Sequence, residues 1–164
     1  MAGQRLFVAL WPNAATRGAL AALQASLQFP PGARPSSADG LHLTLAFIGM
    51  LPQGQLAEAT HACGVASGRV QLALDRLEVW KGGAAVLCPG QPPPALADLQ
   101  ARVVASLRAA GVPCDERAFA PHVTLARNAG GLEPAVLAPL RWRSSGHVLV
   151  LSAGGRYSVI ARYA

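Results

Sequence analysis

The chain has 164 residues, the length of one ordinary domain. Hydrophobic residues make up 52% of it and charged residues only 13%, against about 25% charged in a typical globular domain; this excludes a disordered chain and leaves ample material for a core. The net charge is +6, and every basic residue except Lys81 is an arginine. An arginine presents a planar donor fork that matches phosphate oxygens. A genome rich in Arg and Ala codons gives the same bias, so charge alone does not name a partner. The three cysteines, Cys63, Cys88 and Cys114, have no close spacing. Neither a zinc site nor a disulfide framework is expected, and a reducing, cytoplasmic setting fits best. No leader or membrane anchor is expected. The apolar run over residues 6–11 is stopped by Pro12, and nothing approaches the ~20 apolar residues of a membrane span.

Residues 5–10 (RLFVAL) predict a buried strand, bounded by Trp11-Pro12. Asn13 can cap a following helix, along which Leu20, Leu23 and Leu27 recur at helical spacing until Pro30-Pro31. A Pro/Ser/Gly loop runs to Gly40, and residues 41–48 predict the next strand, closed by Gly49. A second helix is expected over residues 53–66, with Leu56, Ala59 and Cys63 inward. Residues 70–80 alternate as a strand, Lys81-Gly82-Gly83 turns, and residues 84–88 return. Gln91-Pro92-Pro93-Pro94 is a rigid break with Pro94 at a helix start. Leu96, Leu99, Val103 and Leu107 then form a helical stripe that Gly111 and Pro113 end. Residues 122–127 predict a strand. Residues 148–151 and 157–161 close the chain as a hairpin around Gly154-Gly155. The order describes an α+β domain with too few helices for a doubly wound parallel sheet. Gly154-Gly155 opens a strand and not a helix, so it fails the phosphate-loop and dinucleotide contexts.

One local pattern occurs twice. His42-Leu43-Thr44-Leu45-Ala46 and His122-Val123-Thr124-Leu125-Ala126 both read His-apolar-Thr-Leu-Ala, 80 residues apart. In a strand, residues i and i+2 share a face. His42, Thr44 and Ala46 are therefore expected on one face, with Leu43 and Leu45 on the other; His122, Thr124 and Ala126 repeat this, with Val123 and Leu125 inward. Side by side, two such strands make a site with two imidazoles and two hydroxyls. Phosphodiester hydrolysis near neutral pH needs a base for water and an acid for the leaving alkoxide, and histidine can serve as either. Threonine hydroxyls can donate to non-bridging oxygens as charge develops. Neither a metal nor another cofactor is needed for this, and no metal-ligand motif is present. His61 reads as a surface residue of a helix. His147 begins a strand without a threonine two residues on. Both are expected to be non-catalytic.

At these residues the chain resembles the two-histidine (2H) phosphoesterase superfamily, and within it the RNA 2′,3′-cyclic phosphodiesterases, also called 2′-5′ RNA ligases. The resemblance runs from Arg5-Leu6-Phe7-Val8-Ala9-Leu10 through Leu41-His42-Leu43-Thr44-Leu45-Ala46-Phe47-Ile48-Gly49 and Pro121-His122-Val123-Thr124-Leu125-Ala126-Arg127 to Gly155-Arg156-Tyr157. It implies one domain over residues 1–164, built of two α+β lobes related by a pseudo-two-fold axis, with mostly antiparallel sheets and outer helices around a central cleft. It implies hydrolysis of RNA 2′,3′-cyclic phosphate ends to 2′-phosphates. Beside this, a monomer without a cofactor is expected, with tRNA fragments as one source of such ends. Some relatives join RNA ends through a 2′-5′ bond. The resemblance makes His122 the base and His42 the acid. It places the phosphate against Thr44, Thr124 and Arg127, and a terminal base on Phe47. Strand parity argues against the last two residues. Each lies five positions after its histidine, so a regular strand would turn it away, and only a bulge or strand end would re-aim it.

Two other functions compete: a phosphodiesterase for small cyclic nucleotides or 2′-5′ oligonucleotides, and a non-catalytic RNA-end-binding protein. The second would interleave aromatics with basic residues, and aromatics are only 5% of the chain.

Overall fold

The structure is a computed structural model and describes residues 3–164. Strand β1 (Gly3–Leu10) leads to helix α1 (Ala14–Ser26). The Asn13 side chain caps this helix, accepting from the Thr16 backbone N–H at 2.9 Å. A two-residue strand β2 (Arg34–Pro35) and a 3-10 turn (Ala38–Gly40) precede β3 (Leu43–Pro52). Helix α2 covers only Leu56–Ala62, after a 3-10 turn at Gln53–Gln55. The expected longer helix stops early because Gly64, Ser67 and Gly68 follow, and glycine and serine favour turns over helix interiors. Then come β4 (Val70–Val79), β5 (Ala85–Cys88), α3 (Pro94–Ala109), β6 (Val123–Arg127), β7 (Ala135–Ser144), β8 (His147–Ala153) and β9 (Arg156–Tyr163).

The strands lie in the order β7-β4-β5-β6-β3-β1-β8-β9, with β2 added on β6. Every pairing described is antiparallel. The architecture is α+β, as the sequence predicts. Strand β7 is not evident in the sequence because Pro139 interrupts it. At the edge of a sheet a proline is tolerated, and the β4–β7 register slips beside it, between Leu74 and Arg76.

Alternation along β1 separates the two faces of the sheet. Leu6, Val8 and Leu10 join the large core, with Leu20 of α1, Ala59 of α2 and the Leu96, Leu99, Val103, Leu107 stripe of α3. Phe7 and Ala9 join a smaller cluster with Val148 and Val150, edged by Trp11 and Val159. Each fully buried leucine of the main core contributes about 1.5–3 kcal/mol of transfer free energy. The helices thus hold one face, and the face carrying Phe7 is left for the cleft. At the middle of the sheet β3 and β6 are joined through one residue pair, Leu43 with Val123. By contrast, the β1–β3 ladder runs the length of both strands.

Candidate active site

The seam between β3 and β6 places the duplicated motif. Leu43 and Val123 are partners in an antiparallel register. One step along that register sets His42 opposite Thr124 and His122 opposite Thr44. Both histidines stand one residue before their strands, not inside them. A cleft of about 810 Å³ opens over the seam, lined by all six residues singled out from the sequence: His42, Thr44, Phe47, His122, Thr124 and Arg127.

Phe47 and Arg127 reach the cleft through a pair of bulges. In the β1–β3 ladder Val8 pairs with Ala46 and Ala9 with Thr44, so Leu45 is an extra residue. In the β5–β6 ladder Ala85 pairs with Ala126 and Val86 with Thr124, so Leu125 is the extra residue. A bulge points two successive side chains to one side and reverses parity beyond it. Leu45 and Ala46 are accordingly both buried, as are Leu125 and Ala126. Phe47, at 41% exposure, then turns outward, and so does Arg127. Strict alternation therefore misassigns four residues. Ala46 and Ala126 leave the histidine face, and Phe47 and Arg127 join it. The second bulge is braced from outside the sheet. The Leu125 carbonyl accepts from the Ser36 backbone N–H at 2.9 Å and from Gln24 Nε2 at 2.7 Å, and Gln24 also reaches the Ser36 carbonyl.

The two imidazoles are anchored alike. His42 Nδ1 lies 2.6 Å from the Gly40 carbonyl and His122 Nδ1 lies 2.8 Å from the Ala120 carbonyl, each two residues upstream. A carbonyl only accepts, so Nδ1 carries the proton in both rings and Nε2 is the lone-pair nitrogen of the neutral form. The Thr44 hydroxyl donates to His42 Nε2 at 3.0 Å. Aromatic walls hold the rings in place. His42 stacks on Phe7 (centroids 4.6 Å apart) and Trp11 (5.6 Å), with Tyr157 edge-on. Trp80 leans over His122 at 4.4 Å.

Both histidines titrate below the ordinary imidazole range, chiefly because burial disfavours the charged ring. The anchoring carbonyls pull the other way. The His122 and Arg17 charges lower His42 further, and Arg127 lowers His122. An incoming phosphate would reverse this balance and favour a proton on one ring.

Several residues in or beside the cleft are not apparent from the sequence. Trp80 follows a strand with no pattern of its own. Arg17 of α1 stacks on Trp11 at 5.2 Å and donates to the Ala38 carbonyl, beside the His42 wall. Arg5, Arg156 and Tyr157 also line the cleft; the i, i+2 spacing of Arg5 and Phe7 is the signal that would have found the first. His61 is exposed on α2. His147 is buried, bonded to the Ser67 hydroxyl and the Cys63 carbonyl, away from the cleft.

The family model of the 2′-5′ RNA ligase superfamily matches residues 10–150. The chain belongs to the 2′-5′ RNA ligase superfamily. It is 37% identical over 133 residues to the RNA 2′,3′-cyclic phosphodiesterase of Escherichia coli strain K12, spanning 77% of this chain and 73% of that protein. The crystal structure of E. coli LigT in apo form matches it with a TM-score of 0.84 at 30% identity, covering 99% of this chain and 97% of that one. TT0787 of Thermus thermophilus matches with a TM-score of 0.78 at 25% identity, covering 96% of each chain. The superfamily match contains both histidine motifs, and the bulged strands lie wholly within it.

Proposed function

We propose that the chain is a phosphodiesterase that opens RNA 2′,3′-cyclic phosphate ends, tRNA fragments among them, to 2′-phosphates. The observation that carries this is the pair of imidazoles anchored in the same way beside one cleft. His122 Nε2 takes a proton from water as the water oxygen bonds to phosphorus. The P–O3′ bond breaks, and protonated His42 gives its Nε2 proton to O3′. The products are a 3′-hydroxyl and a 2′-phosphate, and the proton gained by one imidazole balances the proton lost by the other. The Thr44 and Thr124 hydroxyls and the Arg127 guanidinium donate to the non-bridging oxygens as charge builds. Phe47 offers its exposed ring to the terminal base. An RNA 5′-hydroxyl in place of the water would give a 2′-5′ linkage by the same proton transfers.

One copy of the chain supplies both histidines, so a monomer, one domain of two lobes meeting at β3 and β6, is sufficient. Burial pushes the Cys63 and Cys88 thiols up to about 12, which keeps them protonated and unreactive in a reducing cytoplasm. No described helix is long and apolar enough to cross a membrane. The test is product analysis on a short RNA bearing a 2′,3′-cyclic phosphate. A 2′-phosphate product supports the reading, and a 3′-phosphate or unchanged RNA refutes it.

A further inference from the structure

The cleft extends beyond the space that one cyclic phosphate needs. Along the cleft face of β1 the order is Arg5, Phe7, Ala9, Trp11, and His42 stacks on Phe7 and Trp11. Arg5 lies past Phe7 on the side away from Trp11. Two residues of strand carry it about 7 Å along β1. Its partner on β8 is Ser152, and Ser152 pairs in turn with Tyr157 of β9. The β8–β9 turn consists of Gly154 (φ 58°) and Gly155 (φ 75°). Both central residues are left-handed, as a tight two-residue hairpin of matching twist requires. This turn fixes Arg156, which pairs with Ala153, at the cleft rim.

Among the described residues, Arg5 and Arg156 make no ion pair and no side-chain hydrogen bond. Asp39 is the one carboxylate in the cleft wall, and it acts on Arg17. Two arginines without an ion pair and a serine, all lining one cleft from paired strands, suit a phosphodiester. The catalytic reading uses neither of them.

We infer that Arg5, Arg156 and Ser152 form a second phosphate subsite, which holds the phosphodiester on the 5′ side of the terminal nucleotide. The subsite makes an oligonucleotide end, not a free cyclic mononucleotide, the preferred substrate. The inference rests on the proposed reaction for its chemistry, but its test is separable.

The measurement is the ratio of kcat/KM for a cyclic-ended trinucleotide to that for a 2′,3′-cyclic mononucleotide. It is made on the full chain and on Arg5→Gln, Arg156→Gln and the double variant. Each substitution should lower the ratio about tenfold, the worth of one charge-assisted contact. Arg141→Gln, on the far edge strand β7, removes the same charge and should leave the ratio as it is. The salt dependence of trinucleotide binding should also flatten by roughly 0.7 per arginine removed. Ratios equal to that of the parent chain in both single variants and the double would overturn the subsite, as would an equal fall with Arg141→Gln. If neither substrate is turned over, the reaction assignment fails. The subsite is then decided by the same ratio in binding, with a trinucleotide 3′-phosphate against a nucleoside 3′-monophosphate.

Discussion

Leu45 and Leu125 hold the same station in the two halves of the sheet: each is the extra residue of a β-bulge, three positions after a histidine. The bulges explain how a five-residue spacing brings Phe47 and Arg127 to the side of the cleft. They also make the brace on Leu125 a determinant of the site. Gln24→Ala removes a donor shared by the Leu125 and Ser36 carbonyls. The variant should lose about 1 kcal/mol of stability, because the Ser36 carbonyl loses its side-chain donor while the Leu125 carbonyl keeps the Ser36 backbone N–H. It should also lose kcat/KM, through misplacement of Arg127. Urea unfolding and steady-state kinetics on the cyclic-ended RNA check both effects. A variant with unchanged kinetics would show that β6 keeps its bulge without the brace.

The duplicated His-apolar-Thr-Leu-Ala segment was legible in the sequence because it repeats, and strand alternation correctly put His42 with Thr44 and His122 with Thr124. Alternation failed two residues later, because a bulge depends on what the neighbouring strand does and leaves no mark in its own composition. The Trp80 contact was hidden for a related reason. Trp80 follows β4, two strands away from β6, and only the sheet order brings its indole over His122. Strand β7 was masked by Pro139, whose tolerance depends on an edge position that the sequence does not declare.

Trp80 should tune the histidine it covers. Burial is the main cause of the lowered His122 titration. Trp80→Leu admits water to the ring and should raise the His122 titration toward the ordinary imidazole value of about 6.5. His122 must be neutral to act as the base, so the acidic limb of the pH–rate bell should move to higher pH. A pH profile of kcat/KM checks this. An unmoved acidic limb would mean that the indole does not control the ring's hydration.

Stability should fall with acid for a related reason. His42, His122 and His147 all titrate below the ordinary range, with burial the largest cause in each. Between the lowered folded values and the ordinary unfolded value, the unfolded chain binds more protons. Stability from these groups is therefore complete above about pH 6.5 and declines as pH falls toward the folded values. His147 is the most exacting of the three. Its Nε2–H donates to the Cys63 carbonyl at 2.7 Å, so its Nδ1 must accept from the Ser67 hydroxyl. Protonation would turn that acceptor into a donor. The urea midpoint should drop between about pH 8 and pH 5, and His147→Gln should flatten the drop. An equal drop in the variant would assign the acid sensitivity to other groups.

Turnover should not depend on a divalent ion. Among the described residues no three His, Cys, Asp or Glu side chains lie together as a metal site would need. The proposed reaction assigns every proton transfer to an imidazole. Full activity is expected in excess EDTA. Loss of activity that a divalent ion restores would place a metal in the mechanism.

The most direct measurement of the acid–base pair uses kcat/KM for cyclic-ended RNA in His42→Ala, His122→Ala and the double variant, each also assayed with sulfur in place of the departing 3′ oxygen. Each single substitution should cost about 10²–10⁴-fold on the ordinary substrate. The double should lose less than the product of the two, because the rings act as a unit. A thiolate leaves without a proton, so the sulfur substrate should restore His42→Ala and not His122→Ala. Single variants that keep parental rates on the ordinary RNA would contradict the two-histidine account outright, and rescue of His122→Ala alone would reverse the roles assigned to the two rings.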